Sequence, residues 1–133
     1  MLWWFYRRLS GAVAVWMVSP SDLALARVFR VCRTPKGLVR GCVINATVIA
    51  RQIEADMPDP GVVQAQLTIA DGYDPTDPGQ RAQVTVARMV SCILNNDADT
   101  AVYLAAAAVG AGEGQRLLLH SMAELRGTLA ALA

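Results

Sequence analysis

The chain contains a single histidine, His120, and three cysteines, Cys32, Cys42 and Cys92, with no Cys-x-x-Cys pair. That scarcity excludes the ligand spacings of zinc sites and of thioredoxin-like redox centres. Widely spaced thiols of this kind read as reduced, buried side chains of a cytoplasmic protein. Charged residues make up only 17% of the chain against 54% apolar residues. Such a balance excludes disorder, and it points to membrane contact or to a surface buried against another copy or a partner. The apolar run from Leu9 to Val18 covers ten residues, about half a bilayer span. No nucleophile elbow places a serine, so His120-Ser121 does not read as part of a catalytic triad. Gly110 to Gly114 reads Gly-Ala-Gly-Glu-Gly. These glycines follow a helical stretch rather than a strand, and Glu113 would repel phosphate, so the reading is an inter-helix turn. Asp71, Asp74 and Asp77 are spaced by three and lack the later Glu of a calcium loop; they read as a solvated loop ending in a helix cap. Asn45-Ala46-Thr47 is a glycosylation sequon set in an apolar segment and is discounted. No metal or cofactor is expected, and with no convergent set of titratable residues the expectation is a non-enzyme.

What is present begins with 133 residues, enough for one domain with its own core. Charge is unevenly laid out. Residues 1–53 carry eight basic side chains against Asp22 alone, a net +7, whereas residues 54–113 carry nine acids against Arg81 and Arg88, a net −7. The layout suggests that the two halves of one fold attract each other; a basic half also fits an anionic membrane or nucleic acid.

Residues 1–18 stand apart from the globular domain expected over 19–133. Trp3, Trp4, Phe5, Tyr6 and Trp16 are five of the chain's eight aromatics, and Arg7 and Arg8 interrupt them. The segment reads as an interfacial anchor, as sequence upstream of a native start at Met17, as a poorly fitting signal region, or as a packed helix. Ser19-Pro20 looks like the first good helix cap after it. Leu25, Val28, Phe29 and Cys32 then follow helical spacing, with Arg27, Arg30 and Arg33 opposite. Thr34 and Pro35 end that helix and cap its successor. Leu38 to Met57 reads as a helix despite the β-branched cluster Val43, Ile44, Thr47, Val48 and Ile49. Residues 62–70 fit either period. Thr76 to Asn96 is the stretch the rest is expected to pack around. It has Asp77 as cap, Pro78 at the first helical position and a stripe of Ala82, Val86, Met89, Val90 and Ile93. Ala101 to Val109 is rich in small residues that permit close helix approach.

These readings predict an all-α fold, an orthogonal bundle of five or six short helices. The alternative is α+β, with strands near 43–51, 62–70 and 82–88 and a helical C-terminal part. For function, the leading expectation is a non-enzymatic helical interaction module. It would self-associate, as a twofold dimer, through the seam Leu118, Met122, Leu125, Leu129 and Leu132. A nucleic-acid binder using Arg27, Arg30, Arg33, Lys36 and Arg40 is the second expectation; against it, the second helix of a helix-turn-helix over 21–51 is too apolar to read bases. A cytoplasmic, membrane-peripheral protein anchored by residues 1–18 is the third.

Overall fold

The computed structural model describes residues 2–57 and 71–130, and they form an all-α bundle: α1 Leu2–Val18, α2 Asp22–Val31, α3 Pro35–Ala55, α4 Pro78–Leu94, α5 Ala98–Gly110 and α6 Gly114–Ala130. Short polar side chains set the starts. Thr34 Oγ1 accepts the Gly37 amide at 3.0 Å, and Asp77 Oδ1 accepts the Gly79 amide at 3.0 Å. Asp97 Oδ1 accepts the Thr100 amide at 3.2 Å. Each satisfies an amide that the first helical turn leaves unpaired. The cap of α2 is Ser21 rather than Ser19: its extended backbone lets Oγ accept the Ala24 amide at 3.1 Å. The turns at Asn96 and Gly112 take left-handed backbone, φ 59° and 80°.

The strand alternative fails at 43–51 and 82–88, which lie inside α3 and α4; residues 62–70 lie outside the described residues. The β-branched cluster is accommodated because packing against the other helices buries Ile49 and half-buries Val43, Ile44, Thr47 and Val48, and Thr47 Oγ1 donates to the Val43 carbonyl at 2.7 Å. Thr85 Oγ1 does the same to Arg81 at 2.8 Å. Burial thus outweighs a propensity difference of a few tenths of a kcal/mol per residue.

α4 buries Ala82, Val86, Met89, Val90 and Ile93, the stripe read from spacing. It packs against α3, α5 and α6, and α3 in turn packs against α4, α5 and α6, so the centre is shared with α3. Gly41 of α3 is the point of closest approach. A Cβ there would lie 2.9 Å from Cys32 Sγ and 3.1 Å from Leu118 Cδ1, with Leu9 Cδ2 of α1 at 3.8 Å. One turn on, Asn45 is buried and its Nδ2 donates to Ser121 Oγ at 3.0 Å, while Ser121 Oγ donates to the Leu118 carbonyl at 2.7 Å. The discounted sequon asparagine therefore ties α3 to α6. α1 is a packed helix: Leu9, Ala12, Val13 and Trp16 join the core.

Gly41→Val is expected to lower the unfolding free energy by about 1–3 kcal/mol through overpacking. Gly11→Ala, where nothing lies within 4 Å of the added carbon, is expected to raise it by up to about 1 kcal/mol. Ser121→Ala leaves the Asn45 amide buried without its acceptor and should cost about 1–3 kcal/mol. Denaturant melts with unchanged m-values check all three.

Candidate functional site

α1 is apolar nearly all round, and only one side is covered. At helical spacing Phe5, Leu9, Ala12, Val13 and Trp16 face inward. The opposite side carries Trp3, Trp4, Arg7, Arg8, Gly11, Val15 and Val18 toward solvent. On that side Trp3 is 69% exposed, Trp4 59% and Val18 87%. Large aromatics in a monomer's surface helix ordinarily turn inward, so this face is the most unusual surface of the molecule.

The two arginines are held against the tryptophans. The Arg7 guanidinium lies 5.5 Å from the Trp3 ring centroid, and that of Arg8 lies 4.7 Å from Trp4. Both are contacts across one helical turn, each of about 0.5–1 kcal/mol at an exposed site. Beside them runs a groove of about 420 Å³ between α1 and α2, where Arg27 and Val31 face Trp4, Arg7 and Arg8. Leu23, 78% exposed, precedes Arg27 by one turn of α2, and Arg30 follows. Asp22 is the only acid in α1 and α2.

Among the described residues, ion pairs within 4 Å join Arg51 to Glu54 and Arg81 to Glu113. Neither ties the arginines of α1 and α2 to the acidic half; the pair that crosses between the halves, Arg51–Glu54, joins neighbours one turn apart on α3. The acids are engaged locally. Asp77 and Asp97 cap helices, and Asp74 Oδ1 accepts both the amide and the hydroxyl of Thr76, which lowers its pKa. Among the described residues no three His, Cys, Asp or Glu side chains gather as metal ligands.

The five basic residues read from sequence are all exposed but do not share one surface. Arg27 lines the α1/α2 groove, whereas Lys36 and Arg40 border a second groove of about 640 Å³ between α3 and α5. Beyond Arg40, α3 presents half-buried Val43, Ile44, Thr47 and Val48, with little that could reach a base edge. The C-terminal seam is largely occupied. Leu118, Met122 and Leu125 are buried in the chain's own core and Leu129 packs against it, while Leu132 lies outside the described residues. That stripe is covered because α3, α4 and α5 all pack on α6. Gly110 to Gly114 forms the inter-helix turn, and Gly114 is pressed against Val109.

Sequence reasoning did not join Arg7 and Arg8 to Arg27, because nothing in the spacing places α2 beside the N-terminal half of α1. It also missed the α3/α5 groove, whose wall comes from a helix too uniformly apolar to show a face. No family model, curated protein or solved structure matches this chain. No helix among the described residues is long and apolar enough to cross a membrane.

Burial governs the titrating groups of the core. It is the first cause lowering His120, with Arg116 adding to it and Asp77 opposing. It pushes the Cys32 thiol from the ordinary 9.0 up to about 11. Cys42 rises to about 12, chiefly through burial and then through neighbouring Cys32, with a backbone hydrogen bond opposing. A folded pKa above the unfolded one stabilises fully below the ordinary thiol value and is lost as pH climbs through the folded value. Stability should therefore decline from pH 9 toward 11–12. At pH 8 half-buried Cys92 should alkylate before Cys32 and Cys42, which react only on unfolding; mass spectrometry of iodoacetamide-treated protein checks the order.

Proposed function

We propose that this chain is a non-enzymatic, peripheral membrane-binding module that lies on an anionic lipid surface through the outer face of α1 and the adjoining arginines of α2. The observation that supports this reading is the exposure of Trp3 and Trp4 on the helix face that also presents Arg7 and Arg8. In water that face leaves apolar rings hydrated. At a headgroup boundary the rings sit between tail and water, and the guanidiniums meet lipid phosphates. Each basic residue near an anionic leaflet contributes about 1 kcal/mol, and Arg7, Arg8 and Arg27 have no close carboxylate competitor among the described residues. Val15, Val18 and Leu23 extend the apolar contact to the α1–α2 turn.

Self-association through α6 has less support, since its central leucines are inside the core. A second copy seated on the α1 face would cover the same rings, so the test separates the two. Flotation with vesicles rich in phosphatidylglycerol, against phosphatidylcholine alone, should show salt-sensitive binding to the anionic vesicles. Trp16 is already buried, so a blue shift of tryptophan emission on binding reports Trp3 and Trp4. Arg7→Glu with Arg8→Glu should weaken vesicle binding about a hundredfold. Absence of flotation at low salt, or a wild-type dimer in sedimentation that hides Trp3 and Trp4 from quencher, overturns the proposal.

A further inference from the structure

The groove between α3 and α5 shares no residue with the α1/α2 face and has a different chemistry. At about 640 Å³ it falls within the size range of small-ligand sites, roughly 300–1,000 Å³. Its walls are aliphatic: Val39, Val43 and Ile44 from α3, Val102, Ala106 and Val109 from α5. Only two lining side chains are polar, Lys36 and Arg40, and both are cations.

Those cations are one helical turn apart and exposed. Neither has a carboxylate within 4 Å among the described residues. They stand at the end of the groove formed by the start of α3 and the close of α5. From Arg40 the aliphatic wall of α3 continues to Ile44, about 6 Å along the helix, and the facing wall of α5 from Val109 back to Val102 covers about 10 Å, at 1.5 Å per residue. Beyond Arg40 the groove offers no charged side chain. The lining is thus cationic along the first half of the α3 wall and aliphatic elsewhere.

We propose that this groove binds a free medium-chain fatty acid, its carboxylate held by Lys36 and Arg40 and its alkyl tail laid along Val39, Val43, Ile44, Val102 and Ala106. The charge pattern selects this occupant. A carboxylate complements the two unpaired cations, and the tail asks nothing of the aliphatic walls except contact. An extended peptide would bring backbone amides and carbonyls that no polar side chain along the aliphatic walls can satisfy.

The experiment is calorimetric titration of the full chain with dodecanoate below its micelle threshold, with dodecanol as the neutral control of equal tail. Wild type should bind one dodecanoate saturably and about tenfold more tightly than dodecanol. Lys36→Glu with Arg40→Glu should remove that preference and leave dodecanol binding in place. Ala106→Trp, at an exposed position in the groove wall, should abolish binding of both while vesicle binding through α1 persists; Val102→Trp repeats the test at a second exposed position. Amide shifts of the wild type on titration should concentrate in residues 36–44 and 102–110. No saturable dodecanoate binding, equal affinity for dodecanol, or shifts confined to α1 overturn the proposal. Loss of vesicle binding with the fatty acid still bound overturns only the membrane reading.

Discussion

The bundle depends on how closely α3 can approach its neighbours at Gly41. With hydrogen in place of a side chain there, the end of α2 lays Cys32, and α6 lays Leu118, within van der Waals reach of the α3 backbone, with Leu9 of α1 just behind. Four helices therefore converge on one residue that has no Cβ. Close-packed interiors transmit such a constraint, because a displacement of one helix must be taken up by all. The Asn45–Ser121 hydrogen bond, a turn away, fixes which rotation of α6 is allowed. An apolar contact alone would tolerate a slip that leaves this buried amide unpaired.

Much of this was legible in the sequence and some was not, for physical reasons. The α4 stripe was legible because a helix with one buried face carries its 3.6-residue period openly. The caps Thr34 and Asp77 were legible because capping is local chemistry. α3 resisted because a central helix is covered on several sides, which blurs its period, and because its β-branched residues argue for a strand until tertiary burial is known. The α6 seam was legible as an apolar face, but which partner covers that face is decided by helices distant in sequence. The N-terminal segment illustrates the same limit: its aromatics were visible, whereas the division into a buried Trp16 and exposed Trp3 and Trp4 depends on where the bundle lies.

Charge completes the picture. In the acidic half Asp74, Asp77 and Asp97 serve local backbone groups at helix starts and in a turn, and Glu54 and Glu113 pair with arginines. The basic half leaves its guanidiniums and Lys36 facing outward. Net charge near zero therefore conceals two surfaces of different character, and a globally averaged pI of about 7.7 says little about how either would meet an anionic partner.

Lys36 carries a practical consequence. It is the only lysine in the sequence, so its ε-amine is the chain's sole side-chain amine, and it stands exposed where the α3/α5 groove opens. At a pH high enough to deprotonate it, an amine-directed fluorophore or crosslinker would therefore find one side-chain target, at that rim, besides the α-amine. Among side chains the protein thus carries a single amine address for spectroscopic reporting on whatever enters the groove.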